Sequence, residues 1–106
     1  MAYMIFTQDC ADGPAIREKH RDAHLAYLDD RMDILIASGA LQDEEGKSIG
    51  ACILIDVDTL EEARDFATRD PFATAGLFRT LTIQRWNRFY LHGRKDRGPF
   101  RPLPRD

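Results

Sequence analysis

The sequence predicts a single α+β domain with an antiparallel sheet and the element order β-α-β-β-α-β, and three observations carry that expectation. Residues 2–8 and 50–57 are short runs rich in aromatic and β-branched side chains in which both alternating sets are apolar. Each of these runs is followed by a helical pattern with its own start signal. A last apolar stretch within residues 77–91 closes the order, and a chain of 106 residues with 43% hydrophobic content has room for one core.

In the first strand Met4 and Phe6 alternate with Tyr3 and Ile5, so both faces expect cover. Asp12-Gly13-Pro14 breaks this strand and opens a helix, because proline suits the first helical position, where its missing N–H has no partner to lose. Leu25, Leu28, Met32, Leu35 and Ile36 recur at helical spacing as the buried stripe, and Ser38-Gly39 supplies a terminator. One long helix from Pro14 to Gly39 is the expectation. A short strand over residues 40–43, a polar turn at Glu44-Glu45-Gly46-Lys47 and a strong strand over residues 50–57 follow; in the last, Ile53, Ile55 and Val57 alternate with Cys52 and Leu54.

Thr59 and Glu62 have the spacing of a capping box, opening a helix that buries Ala63, Phe66 and Ala67. Asp70-Pro71 predicts a further short helix, capped by the Asp70 carboxylate and ended by Gly76. The final strand lies within residues 77–91. From Gly93 the chain reads as irregular and basic, with Arg94, Lys95, Arg97, Arg101 and Arg105 against Asp96 and Asp106. The expected division is a domain over residues 1–92 and a tail over 93–106.

The net charge of −3 excludes several function classes once the basic tail is set aside, because the remaining body is acidic and unsuited to nucleic acid. No apolar run approaches the roughly 20 residues of a membrane span, and no leader-like segment opens the chain, so a soluble cytoplasmic protein is expected. Cys10 and Cys52 lack metal spacing and lie in or beside apolar runs, which reads as buried reduced thiols. A glycine-rich phosphate loop and a serine or cysteine nucleophile motif are both missing, so no cofactor is expected. His20 and His24 are four residues apart, but the segment lacks the glutamate of a zinc protease and a third ligand, so no metal is expected either.

Chemistry enters at the first helix. Continued toward the N-terminus, its apolar stripe meets His24, Arg21 and Arg17, so the core-facing side turns basic halfway along. One explanation is plain: this end of the helix reaches solvent, the arginines lie along the surface and His24 is hydrogen-bonded at the core margin. Topology offers another. The N-terminal end of the first helix and the C-terminal end of the second share one edge of the sheet, and Asp70 directly follows the second helix. A carboxylate has two oxygens, so Asp70 can cap the short helix and also orient His24 as a general base.

The R-x-x-H-L segment at Arg21 to Leu25, the E-E-A-R-D-F-A helix, the D-P-F-A-T-A-G-L run from Asp70 and the closing Thr82-Ile83-Gln84-Arg85-Trp86 together resemble the YciI-like (YCII-related) family. The similarity spans roughly residues 1 to 90 and rests on motif order and spacing. It implies a ferredoxin-like βαββαβ fold, paired as a homodimer into a dimeric α+β barrel. It also implies that His24 and Asp70 form the catalytic pair; Arg21, by its own position one turn before His24 on the same stripe, suits an anionic group of a small organic substrate. The chemistry so implied is general acid/base proton transfer of the elimination, isomerisation or dehydrohalogenation type, by a cofactor-independent lyase or isomerase. The competing class is a non-catalytic ligand-binding or partner-binding dimeric module. This chain departs from the family pattern in having Glu44-Glu45-Gly46-Lys47 where a Gly-Pro turn is usual and Arg85, not proline, before Trp86.

Overall fold

The two doubly apolar runs pair with each other at the centre of the sheet. In the computed structural model, which describes residues 2–95, β1 (Ala2–Asp9) lies antiparallel between β3 (Ser48–Asp56) and β4 (Phe78–Trp86), and β2 (Leu35–Gln42) flanks β3. The order β2-β3-β1-β4, with α1 (Gly13–Asp29) and α2 (Leu60–Arg69) as crossovers, is the ferredoxin-like α+β arrangement. Register sets the core: Tyr3 faces Ile55, and Ile5 lies between Ile53 and Ile83, so one side of the pleat is a continuous apolar band. Leu28 of α1 and Ala63, Phe66 and Ala67 of α2 close over that band.

The second helix starts as its sequence dictates. The Thr59 hydroxyl accepts from the Glu62 amide at 3.1 Å while the Glu62 carboxylate accepts from the Thr59 amide at 3.0 Å. At the other end Asp70 closes α2 and caps the single-turn α3 (Pro71–Thr74), which Gly76 leaves with a φ of 84°.

The first helix is shorter than its apolar stripe implies. It ends at Asp29, and the residues read as its last three turns become a turn and the edge strand β2, so Ser38-Gly39 lies within a strand and the second strand runs over eight residues. Asp29, Asp30 and Asp33 put negative charge where the helix dipole is already negative, offset only from beyond the helix by Arg31, which donates to the Tyr27 carbonyl at 2.9 Å. The apolar run Ile34-Leu35-Ile36, with two β-branched isoleucines, then prefers a pleat, where Leu35 pairs with Ile55 and the Asp56 amide donates to the Ile34 carbonyl at 2.8 Å. Period alone misled here because Leu35 and Ile36 satisfy a helical stripe and a strand equally. As a result Met32 is 66% exposed; within α1, Leu25, also expected on the buried stripe, is 48% exposed.

Cys10 and Cys52 are free thiols, half-buried rather than fully buried. Tyr90–Leu91 and Arg94–Lys95 pair as a small separate ribbon, β5 and β6, so the irregular reading from Gly93 misses two strand residues. Residues 96–106, most of the expected basic tail, lie outside the described residues. Among the described residues no helix is long and apolar enough to cross a membrane.

Both helices cover the Tyr3 and Ile5 face. The opposite face, where Met4 pairs with Leu54 and Phe6 with Cys52, carries no helix among the described residues.

Tyr27 ties α1 to α2. Its hydroxyl donates to the Phe66 carbonyl at 2.8 Å, its ring lies 5.5 Å from that of Phe66, and the Arg31 guanidinium sits 3.6 Å over it. Burial raises the phenol above the usual tyrosine value of 10.0, with Arg31 opposing. Because the folded pKa is raised, this group contributes stability that is present below the unfolded value and lost as pH rises through the folded one. Tyr27→Phe should cost about 1 kcal/mol at neutral pH and flatten the alkaline decline in stability. Urea midpoints of the two proteins at neutral and alkaline pH measure this; curves that stay parallel would sink the assignment.

Candidate active site

The interruption of the α1 stripe is where the helix passes over the sheet edge and meets α3. His24 and Asp70 are 46 residues apart in sequence, yet the His24 Nδ1 lies 2.9 Å from Asp70 Oδ1 and 3.0 Å from Oδ2. The Asp70 side chain is 2% exposed and that of His24 14%. Asp70 Oδ1 also accepts from the Phe72 amide at 2.9 Å, so the oxygen that caps α3 is one that holds the imidazole.

This geometry has a chemical consequence. A carboxylate only accepts hydrogen bonds, so Nδ1 carries the proton toward Asp70, and in the neutral ring Nε2 keeps the lone pair. Phe72, buried at the start of α3, stacks on the imidazole with centroids 4.1 Å apart and planes 14° from parallel. The ring is therefore fixed by a hydrogen bond at its edge and by packing on its face, so it is preorganised as a proton acceptor or donor.

A second ionic pair supports the same corner. Arg17 Nε donates to Asp9 Oδ2 at 2.7 Å, and its Nη2 donates to Asp9 Oδ1 at 3.1 Å and to the Gly50 carbonyl at 3.0 Å. Its guanidinium lies 5.4 Å from the Phe72 ring centre. Arg17 thus joins α1 to the ends of β1 and β3 and braces the aromatic that packs on His24. Sequence reading placed Arg17 on the basic stretch but missed its partner. The available signal was Asp9, an acid ending an apolar strand eight residues before an arginine on the core-facing side. Phe72 was the other omission.

His24, Asp70, Phe72 and Arg21 line one concavity of about 300 Å³ between α1 and the sheet. Its walls also include Leu25, Leu28, Ala51, Ile53 and Phe78, and Ser38, Gly39 and Ala40 of the edge strand leave one side open. Such a mostly apolar cavity with a few convergent polar groups suits a small organic molecule. A larger concavity of about 370 Å³ beside the end of β1, with Cys10, Lys47 and Arg79, holds no imidazole. Among the described residues no group of three or more His, Cys, Asp or Glu side chains is disposed to hold a metal ion, and His20 does not line the cavity that contains His24.

The sequence profile of the YCII-related domain matches residues 1–87. Protein YciI of Escherichia coli O6:H1 is 28% identical over 98 residues, covering 85% of this chain and 100% of that protein. An uncharacterised protein of Haemophilus influenzae is 26% identical with the same coverage. Among solved structures, 5-chloro-2-hydroxyhydroquinone dehydrochlorinase from Burkholderia phenoliruptrix AC1100, in complex with 2,5-dihydroxybenzoquinone, superimposes with a TM-score of 0.76 and 25% identity. That match covers 83% of this chain and 95% of the dehydrochlorinase.

Proposed function

The chain belongs to the YCII-related family, and from that premise we propose that it is a small-molecule enzyme performing general acid/base proton transfer of the elimination type without a cofactor. The observation that carries this reading is an imidazole held through Nδ1 by a buried carboxylate inside a small, mostly apolar cavity. His24 is the base, Asp70 its orienting partner and Arg21 the substrate anchor. The structural similarity to a dehydrochlorinase that binds a hydroxylated quinone favours a halogenated, hydroxylated ring as substrate.

The step balances without a redox partner. His24 Nε2 takes a proton from the substrate, the electron pair released forms a new π bond, and the halide leaves with the pair of the bond that breaks. Asp70 stabilises the imidazolium that results, and the proton returns to water once product departs. Wall residues such as Phe72, Leu28 and Ile53 exclude water and strengthen the His24–Asp70 interaction.

A thermal-shift screen of hydroxylated and halogenated aromatics on wild type and His24→Ala tests the reading. A ligand present at about a hundred times its Kd stabilises the folded state by roughly 2.7 kcal/mol, which is readily seen. Compounds that stabilise wild type but not His24→Ala, with halide release falling at least about a hundredfold in the variant, are expected. If no compound separates the two proteins, the enzyme reading fails and the ligand- or partner-binding module replaces it.

We infer further that the helix-free sheet face is closed by a second copy of the chain, forming the dimeric barrel. Half-buried Met4, Phe6, Cys52 and Leu54 lie on that face and favour a protein cover over water. Light scattering at micromolar concentration should return twice the chain mass, and Leu54→Lys should return the single mass. A wild type that stays monomeric would remove the barrel.

A further inference from the structure

We propose that the substrate carries a carboxylate, and that this group is held outside the His24 cavity in an anion-binding vestibule built by Arg21, Lys47 and Ser48. The proposal rests on the reading of the His24 cavity as the active site and adds the chemical class of its ligand. A second concavity of about 280 Å³ is lined by Pro14, Arg17, Glu18, Arg21, Lys47 and Ser48. Arg17, Arg21 and Ser48 also line the cavity that contains His24, so the two spaces are neighbouring chambers of one cleft.

The chambers differ in character. The inner one is walled by Leu25, Leu28, Ile53, Phe72 and Phe78 around His24, whereas four of the six residues of the outer one are charged. Arg17 is already occupied by Asp9 and by the Gly50 carbonyl. The hydrogen bonds and ion pairs among the described residues include none from the Arg21 guanidinium, the Lys47 ammonium or the Ser48 hydroxyl. Lys47 is carried by the β2–β3 turn, whose shape is fixed independently: the Asp43 carboxylate accepts from the amides of Glu45 and Lys47, both at 2.9 Å, and Gly46 has a φ of 85°. The turn's own acids, Glu44 and Glu45, do not line the vestibule.

Charge selects the class of anion. With Arg17 balanced by Asp9, the vestibule holds two cations and the single carboxylate of Glu18, a net of one positive charge. That suits a monoanion, and a planar carboxylate matches a guanidinium fork with an ammonium and a hydroxyl as further donors. Arg21 lies one helical turn before His24, so the carboxylate sits about 5 to 10 Å from the reacting atoms. The substrate is a ring whose body enters the inner chamber while its acid remains at the mouth.

Benzoate and benzamide, isosteres that differ in charge, decide the matter in NMR titrations of the full chain at neutral pH and low salt. Wild type should bind benzoate about tenfold more tightly than benzamide, with the preference falling to about threefold or less in Lys47→Gln and in Arg21→Gln and shrinking as salt is added. Benzamide affinity should not change in Lys47→Gln, whose side chain does not line the inner chamber, which shows that this chamber is intact. Equal affinity for the two probes in wild type, binding of neither, or a preference that survives in the double variant overturns the proposal. So does phenyl phosphate binding more tightly than benzoate. The His24 ring signals separate the two levels: if they move equally with both probes, the vestibule is rejected and the cavity kept, and if they move with neither, both readings fall.

Discussion

Asp70→Ala should lower the stability of the domain by about 3 kcal/mol, the sum of a lost helix cap of about 1 kcal/mol and a lost buried, charge-assisted bond to His24. For a domain of this size that is a fall in melting temperature of roughly 15–20 °C. Asp70→Asn separates the two roles. Its carbonyl oxygen still accepts from the Phe72 amide, as Oδ1 does at 2.9 Å, but its NH2 group then faces the His24 Nδ1 proton donor to donor. Relief comes when the ring moves its proton to Nε2, and the atom meant to accept a substrate proton is then blocked. The expected result is a modest stability loss of about 1 kcal/mol together with a fall in turnover of a hundredfold or more. Urea denaturation gives the first quantity, and nitrogen NMR of the imidazole at alkaline pH, where the ring is neutral, reads the tautomer. A wild-type ring already protonated at Nε2 would refute the mechanism.

Gly50→Ala should be about as damaging, for a reason unrelated to chemistry. Gly50 sits in β3 opposite Gln8 and Leu41, where a Cβ would overlap the Thr7 carbonyl oxygen of the neighbouring strand. Backbone must shift, because no side chain is there to swing away, and overpacking of this kind costs about 3 kcal/mol. The shift also displaces the Gly50 carbonyl that accepts from Arg17. Ligand binding at the His24 cavity should therefore weaken along with stability. Gly39→Ala is the control: nothing lies within 4 Å of the added Cβ, and the substitution should raise stability by about 0.5 kcal/mol through the unfolded chain. Equal effects at the two glycines, measured by urea unfolding, would contradict the packing argument.

Those two glycines also mark where the sequence was informative and where it was silent. Caps are local chemistry, and Thr59, Glu62, Asp70 and Gly76 behave as their spacing requires. The strand centres were legible for the same reason, since alternation registers burial on a pleat. The boundary between α1 and β2 was not, because Leu28, Met32, Leu35 and Ile36 fit a helical period while the fold uses the last two in a strand. What decides is the pairing of Leu35 with Ile55 and of Ala40 with Ala51, contacts between residues far apart in the chain. Topology put His24 and Asp70 at one edge of the sheet and the family resemblance named them as a pair, but the 2.9 Å contact itself is read only from the fold. The Arg17–Asp9 pair and the stacking of Phe72 on His24 were not, since they depend on side-chain directions that a linear pattern does not contain.

Asp70 serves the backbone and the imidazole with one oxygen, and this makes the two residues of the pair unequal as evolutionary witnesses. A lineage that abandons proton transfer still needs an acceptor for the Phe72 amide, and even asparagine, which supplies one, costs about 1 kcal/mol, so selection for folding alone favours the aspartate. His24 closes no helix end; its loss forfeits the charge-assisted bond to Asp70, about 2 kcal/mol, but leaves the α3 cap in place, so the fold tolerates its replacement once its chemistry is no longer under selection. In a set of descendants of this fold, the aspartate would therefore persist in active and inactive members alike, while loss of the histidine would date the loss of the reaction.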